Sequence, residues 1–466
     1  MNIALGIVIL YIILLYLLSW YATKLSQGGY IGYLLAGRGF GTTIVATMIA
    51  GLAIGGASTI GVAESAYQSG LAAGWYNAAW GVGAVVAGLL VAGRLRDFET
   101  TSLPEIFERY FDTSGRIIGV FGQIIIQMVI TSLQYVAGGA ILAALMPGYF
   151  DFNSGMLLSA AVFIGITMVG GYWAAGLSNI FNVIVIYLGV VIGAVLVVDN
   201  AGGIGNMLAA LPASHPGFDL FAGLPMAMII AWFAVMLTQT QSIQAIAQVA
   251  FAAKDARVAK RGFILGGLII FPAGFICAIF GIAAAAMFPG ITPALALPKT
   301  LLALNPWAAG LALSGLWAAD VSTAVGLLLG SSTLVVNDIY KRFVNPDLPE
   351  KKQILISRMT VLAISIFTYW MATSAGGIIK TLLIGLTLTT SYTVLLLGMM
   401  YLPGMCKKGT AFWTLFTGIA FLALWQFVPA IRVVSHPIYL AWPLAIATFL
   451  AVYFLDPRPA RLKPAA

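Results

Sequence analysis

Near the middle of the apolar run from Ala308 to Val336, the segment WAADVSTAVGLLLGSS carries one carboxylate, Asp320, with two hydroxyls, Ser322 and Thr323, close behind it. A carboxylate at the centre of a membrane helix costs about 2.5–3.5 kcal/mol on insertion scales, so it persists where the protein uses it. Carboxylate and hydroxyl oxygens side by side suit a small hard cation such as Na+. Hydroxyls in membrane helices also bond back to the carbonyl one turn earlier, and it is the neighbouring acid that points to ions. Of the fifteen acidic residues, only Glu64 and Asp320 fall within expected spans, and no Lys or Arg is placed deep in one. An uncompensated pair of acids favours a cation pathway over an anion pathway. Glu64, in GVAESAYQSG, lies toward the outer end of its span, where capping or snorkelling serves it equally well.

Other polar and aromatic groups inside apolar runs are candidates to line a substrate chamber: Ser58, Gln134, Tyr135, Trp232, Phe233, Gln241, Gln244 and Tyr392. The chain has no HExxH motif, no nucleotide-binding loop and no Ser/His/Asp set, and its two histidines, His215 and His436, fall in expected outer loops. Cys277 and Cys406 lie in different segments and suggest neither a disulfide framework nor a metal cluster. An enzyme reading has almost nothing to stand on.

The elements that must position these residues are membrane helices. The 466 residues are 61% hydrophobic and 8% charged, with a mean hydropathy of +1.00; soluble domains are about 45–50% apolar and about 25% charged. Apolar runs recur along the whole chain and leave no block for a soluble domain. The first, Ile3 to Tyr21, lacks a basic leader and a small-residue cleavage site, so it reads as a retained helix. Spans of about 20 apolar residues fit thirteen times, centred near Ile12, Ile54, Val85, Ile130, Phe163, Val190, Ala234, Phe271, Ala324, Ile364, Thr389, Gly418 and Ala447. Alternate connections then hold all but three of the 23 Lys and Arg; Lys299, Lys380 and Arg432 fall on the other side. By the positive-inside rule the N-terminus is outside and the C-terminus cytoplasmic, as expected of a multi-pass plasma-membrane protein bathed in lipid. The net charge of +8 is a topology signal, and nucleic acid need not be invoked.

Spans two and seven are irregular. The second contains GLAIGGASTIG from Gly51, with four glycines in eleven residues; the seventh contains TQTQSIQAIAQ from Thr238. Glycine costs about 1 kcal/mol against alanine in a helix interior, and backbone freed by a break needs protein or water around it. Close small-residue packing also explains the glycines. Two broken helices five spans apart, in opposite orientations, are what an inverted five-plus-five repeat requires. The expected division is an extra N-terminal helix at 3–23, a first repeat at 41–199, a second at 224–402 and two C-terminal helices at 409–455. Two longer outer loops, Asp199 to Gly223 and Met287 to Pro306, are candidate lids.

From about Leu10 to Lys408 the chain resembles the sodium:solute symporter family, whose members have the LeuT-type inverted-repeat fold. Four landmarks in order carry the resemblance: GAS followed by AESAYQSG; GGYWAAGLSNIFN against the family's GG-x5-W-T-D-x-x-Q; QAIAQVAFAAKDARVAKRG against AAK-x4-A-x-RG; and S-S-T-x3-N-D-I-Y-K from Ser331 to Lys341. The resemblance implies a Na+ site made of the Gly51, Ile54 and Ala319 carbonyls and the Ser322 and Thr323 hydroxyls, between core helices one and eight. Two positions depart from the pattern. The family aspartate of W-T-D is Asn179 here, and its glutamine is Asn182. With Asp320 beside the hydroxyl pair, the expectation is that the negative charge near the ion has moved from the fifth core helix to the eighth. The alternative is that Asp320 faces away, toward substrate or a second ion.

The family resemblance implies a secondary transporter that imports a small organic solute with Na+ by alternating access. The lysine that sugar-carrying members place after the RG turn has no counterpart, since Gly262 to Ala285 contains no Lys. AESAY is similar to the choline-like and amine-carrying branch, and two intramembrane acids with no base fit a cationic or zwitterionic solute; a monocarboxylate stays open. A proton-coupled carrier using Asp320, or a non-transporting sensor or channel on the same fold, are the rival readings.

Overall fold

The computed structural model describes residues 3–25, 29–145, 148–373 and 385–461, and these are helical with short connections and no β-strand. Lys380, expected on the outer side, lies outside the described residues. The chain opens with α1 (Ile3–Leu25). A first broken helix follows, α2 (Thr42–Ala53) and α3 (Val62–Ser69), joined through a bend and a π turn at Ala57–Gly61. Then come α4 (Trp75–Ala87), a short α5 (Leu103–Tyr110), and the long α6 (Thr113–Leu145) and α7 (Phe152–Asn200). The second broken helix is α8 (Met226–Ser242) and α9 (Gln244–Ala252), bent by 48°. The remainder is α10 (Ala256–Met287), α11 (Ala296–Leu302), α12 (Pro306–Thr333), α13 (Glu350–Ala372), α14 (Thr389–Tyr401), α15 (Thr410–Phe427) and α16 (Ile438–Leu455).

Local chemistry sets the ends. Side-chain oxygens of Ser102, Asp151, Asp255 and Asn305 accept the amides of Glu105, Ser154, Val258 and Ala308 at the starts of α5, α7, α10 and α12. Within α7 the backbone breaks at Gly171, where φ is +60°, a value that glycine adopts without steric cost. Among the described residues nine helical stretches are long and apolar enough to cross a membrane, or ten with the bent pair α8–α9 taken as one span. All thirteen expected centres fall on helices except Ile54, which sits at the first break. The length criterion finds fewer because a broken span consists of two pieces that are each too short.

Helix α10 shows how the two broken helices run. Val45, Ile49 and Ala63 pack against Gly262, Gly266 and Gly281 in turn, so α2 and α3 run parallel to α10. The chain turns at Gly70–Gly74 and α4 comes back, with Gly74 at Gly274 and Gly81 at Gly267. Helix α8 starts at the same end as that turn, where Trp75 donates its indole N–H to the Leu220 carbonyl at 2.8 Å, and passes Gly83 at Met236. Helix α9 ends where α2 begins: the Lys254 amide donates to the Phe40 carbonyl at 3.0 Å, and the Phe40 amide to that of Ala252 at 3.1 Å. The broken helices therefore run in opposite directions, as an inverted repeat requires.

At the end where α2 begins and α9 stops, the basic residues collect. Arg96 donates to the Ala253 carbonyl, Arg38 to that of Glu99 at 2.8 Å, and Arg342 forks onto Glu108 at 2.9–3.2 Å. Arg116 joins Glu108 to the buried Asp338 near the end of the α12 span, at 2.5 and 2.8 Å. The loop 199–223 closes over the opposite end, where the Leu71 amide donates to the Gly217 carbonyl at 2.9 Å.

Candidate functional site

The first break places backbone oxygen where two helices meet. Gly51, two residues before the end of α2, turns its carbonyl to α12, where it accepts from Ser322 Oγ at 2.9 Å and Thr323 Oγ1 at 2.8 Å. The same hydroxyls also reach the Ala319 carbonyl of their own helix, at 2.8 and 3.1 Å. Two hydroxyls and two carbonyls from two helices thus form one cluster, with Ser322 and Thr323 only 3% and 2% exposed. Ile54 is the first residue out of helical conformation, at φ −86° and ψ 76°. The Ser58 amide, which a regular helix would close on Ile54, bonds the Gly55 carbonyl instead at 3.0 Å. Four of the five expected oxygen donors are brought together directly, and the fifth sits at the break beside them. Neutral carbonyl and hydroxyl oxygens at a helix break are the donor set that Na+ takes, so the residues fit the ion.

Around this cluster, Gln134 of α6 stitches the break: its Oε1 accepts the Gly56 amide at 2.7 Å, and its Nε2 donates to the Ile130 carbonyl at 3.1 Å. Ser58 closes on the Ala53 carbonyl. A side chain at Gly51 would collide with Asn179 Oδ1, an oxygen with no hydrogen-bond partner, while Asn179 Nδ2 faces Met48 Sδ at 2.9 Å. Asn179 therefore stands at the hydroxyl cluster. Asp320 does not share that place. Its Oδ1 lies 2.9 Å from where a Cβ on Gly56 would be, five residues further along the broken helix and beside Ala137 and Leu133 of α6. The carboxylate has not simply taken over the position that Asn179 leaves uncharged, because the two side chains meet the broken helix at different points.

The remaining candidates scatter. Gln244 is fully used at the second break: its Oε1 accepts the Leu103 amide at 2.9 Å and its Nε2 donates to the Thr101 carbonyl at 3.2 Å. Tyr392 donates to the Gly119 carbonyl at 2.7 Å and so ties α14 to α6. The Tyr135 ring lies 6.0 Å from Phe163, in the contact of α6 with α7. Gln241 donates to the Leu237 carbonyl at 2.9 Å but leaves its buried Oε1 without a partner, as Trp232 does its indole N–H. Sequence reasoning missed Gln123, whose Nε2 donates to the Ser242 carbonyl at 2.6 Å and whose Oε1 accepts the Gln244 amide at 2.8 Å. Its signal was an amide inside the apolar run of α6. It also treated Asp338 as a span-end charge, whereas the structure buries it completely against Arg116 and Ser102.

The chain is similar to the osmoregulated proline transporter OpuE of Bacillus subtilis, 26% identical over 383 residues, which are 78% of this chain and 76% of that protein. It is 27% identical over 377 residues to the sodium/proline symporter of Haemophilus influenzae, 76% of this chain and 73% of that one. Among solved structures, an outward-open, substrate-bound Na+-coupled sialic acid symporter superposes with a TM-score of 0.80 over 99% of both chains at 16% identity. The nucleobase-cation-symport-1 transporter Mhp1, in a closed conformation, superposes at 0.63 over 90% of this chain and 92% of that one at 15% identity. These likenesses establish a LeuT-type transporter fold. With residues 33–418 matching the sodium:solute symporter family, a stretch that holds both broken helices and the α2–α12 oxygen cluster, the chain belongs to that family and has Na+ as its coupling ion.

Proposed function

We propose that the chain imports a small zwitterionic organic solute together with Na+ across the plasma membrane, with the N-terminus outside and the repeats at 41–199 and 224–402 moving against each other. The observation that supports this most is the bonding of the Gly51 carbonyl by Ser322 and Thr323 across two helices. An ion held there joins α2 to α12 and stabilises whichever state keeps the two in register; it shifts the equilibrium only by its differential affinity for the two states. A Na+ entering down 100 mV contributes about 2.3 kcal/mol, enough for roughly fiftyfold accumulation. A zwitterion is favoured because the relatives above are named for proline, and Asp320 places an acid within a described span.

The test is uptake of radiolabelled proline by proteoliposomes at fixed pH, with Na+ replaced by choline in the control. Uptake should require Na+, and Ser322→Ala with Thr323→Ala should remove that requirement or the uptake itself. Cysteines replacing Lys299 and Arg432, but not Lys254, should react with an impermeant thiol reagent from outside intact cells. Proline uptake indifferent to Na+ and driven by a pH gradient would refute the coupling, and outside labelling at Lys254 would refute the orientation.

A further inference from the structure

Asp320 is fully buried, and neither of its carboxylate oxygens has a hydrogen-bond partner. Among the described residues no Lys, Arg or His pairs with it; the ion pairs of the molecule lie at the loop ends and around Asp338. A charge out of water and unpaired is among the costliest features a fold can carry, and within a membrane it marks a functional site. The carboxylate points to the glycine break at Gly56 and not to Gly51, where the hydroxyl pair gathers.

We propose that Asp320 holds a second monovalent cation, at a site of its own between α12, α6 and the break at Gly56. The surroundings specify the ion. The Leu133 carbonyl lies 3.4 Å from the point on Gly56 that Asp320 Oδ1 approaches at 2.9 Å. Beside it, Gln134 Oε1 crowds Gly55, at 2.6 Å from its missing Cβ; Thr323 Oγ1, at 2.5 Å, is already engaged with the Gly51 and Ala319 carbonyls and belongs to the first cluster. The set is one negative charge among neutral oxygens, and no group of three or more His, Cys, Asp or Glu is found among the described residues. Such a set matches a single positive charge better than a divalent ion, which gathers several carboxylates. An organic ammonium is too large: a methyl on Gly56 would already collide with Ala137. A bare ion asks for less room. One turn outward along the same seam, Ile60, Glu64, Val136, Ala140 and Lys299 line a cavity of about 690 Å³.

This inference rests on the reading of α2 and α12 as the ion-binding pair, and counting ions separates the two. Equilibrium binding of radioactive Na+ to the purified full-length protein, at neutral pH and without solute, should give two ions per chain. Asp320→Asn should leave one, Ser322→Ala with Thr323→Ala should leave the other, and Asp320→Glu should keep two. Asp320→Ser serves as a second neutral variant should Asp320→Asn not fold. A wild-type count of one, or a count of two in either neutral variant, overturns the second site; a wild-type count of zero refutes Na+ coupling itself. Loss of affinity in Asp320→Asn without loss of an ion would make Asp320 a distant charge acting on the hydroxyl site, and would also overturn the proposal.

Discussion

The two broken helices solve one problem in different ways. At the second break, between α8 and α9, the freed backbone is satisfied by protein. Gln123 spans Ser242 and Gln244, Gln244 reaches the loop at Thr101 and Leu103, and Ser242 Oγ donates to the carbonyls of Thr238 and Thr389 at 2.8 and 3.1 Å. At the first break, Gln134 and Ser58 stitch the chain, yet Asp320 and Asn179 Oδ1 are left without partners. Buried polar groups in folded proteins are paired with few exceptions; the second break also leaves the Gln239 and Gln241 Oε1 atoms without partners, but these are neutral amides, and the unpaired carboxylate belongs to the first break. The relation of fold to function here lies in which orphan oxygens the fold leaves.

The comparison breaks most readily at Gln123. Gln123→Ala leaves the Gln244 amide and the Ser242 carbonyl unpaired in a buried position, at about 1–3 kcal/mol for each group. The expected loss of about 2–6 kcal/mol should appear as a marked fall in thermal stability, with Na+ affinity of the folded protein unchanged within about twofold. A fall in Na+ affinity at constant stability would make the second break the ligand site and reverse the argument.

Helix α5, whose first residue meets Gln244 at the second break, sharpens it further. Burial alone would raise the Glu108 carboxyl, but hydrogen bonds from Arg342, Arg116 and Thr113 hold it at about 2, against an ordinary 4.5. A depressed carboxyl contributes stability above the unfolded value and loses it as pH falls toward the folded one. Glu108→Gln should therefore cost about 1–2 kcal/mol at neutral pH, after allowance for the partly exposed Arg342. The gap to wild type should narrow as pH drops from about 5 to about 3 in thermal melts. A gap independent of pH would mean that the side chain matters for shape and not for charge.

The smallest effect belongs to the first break. Asn179→Asp places a charge where Asn179 Oδ1 already faces Gly51. Na+ affinity should rise about three- to tenfold, roughly 1 kcal/mol, with little change in stability without Na+. An unchanged affinity in a Na+ titration would show that this oxygen does not see the ion.

Much of this was legible in the chain. Apolar runs gave the helices, and the glycines from Gly51 and the amides from Thr238 gave both breaks. The hydroxyl pair and its facing carbonyl followed from the family pattern and are 271 and 272 residues apart from each other in the chain. Less legible was direction around a helix. Neighbouring residues on α12 point about 100° apart, so Asp320 beside Ser322 in sequence is not beside it in space. The clasp by Gln123 and the burial of Asp338 against Arg116, 222 residues away, depend on which helices pack together. Spacing within one span carries no such information.

The hydroxyls of Ser322 and Thr323 donate to the very carbonyls that an ion would otherwise occupy. An empty site is therefore already satisfied, and ion affinity is only the difference between two bonded arrangements. A small difference would let the ion leave where Na+ is scarce. It also lets the unloaded carrier cross back without an orphaned carbonyl to hold it. If the site holds Na+ as proposed, this pair of side chains bears on turnover as well as on tightness of binding.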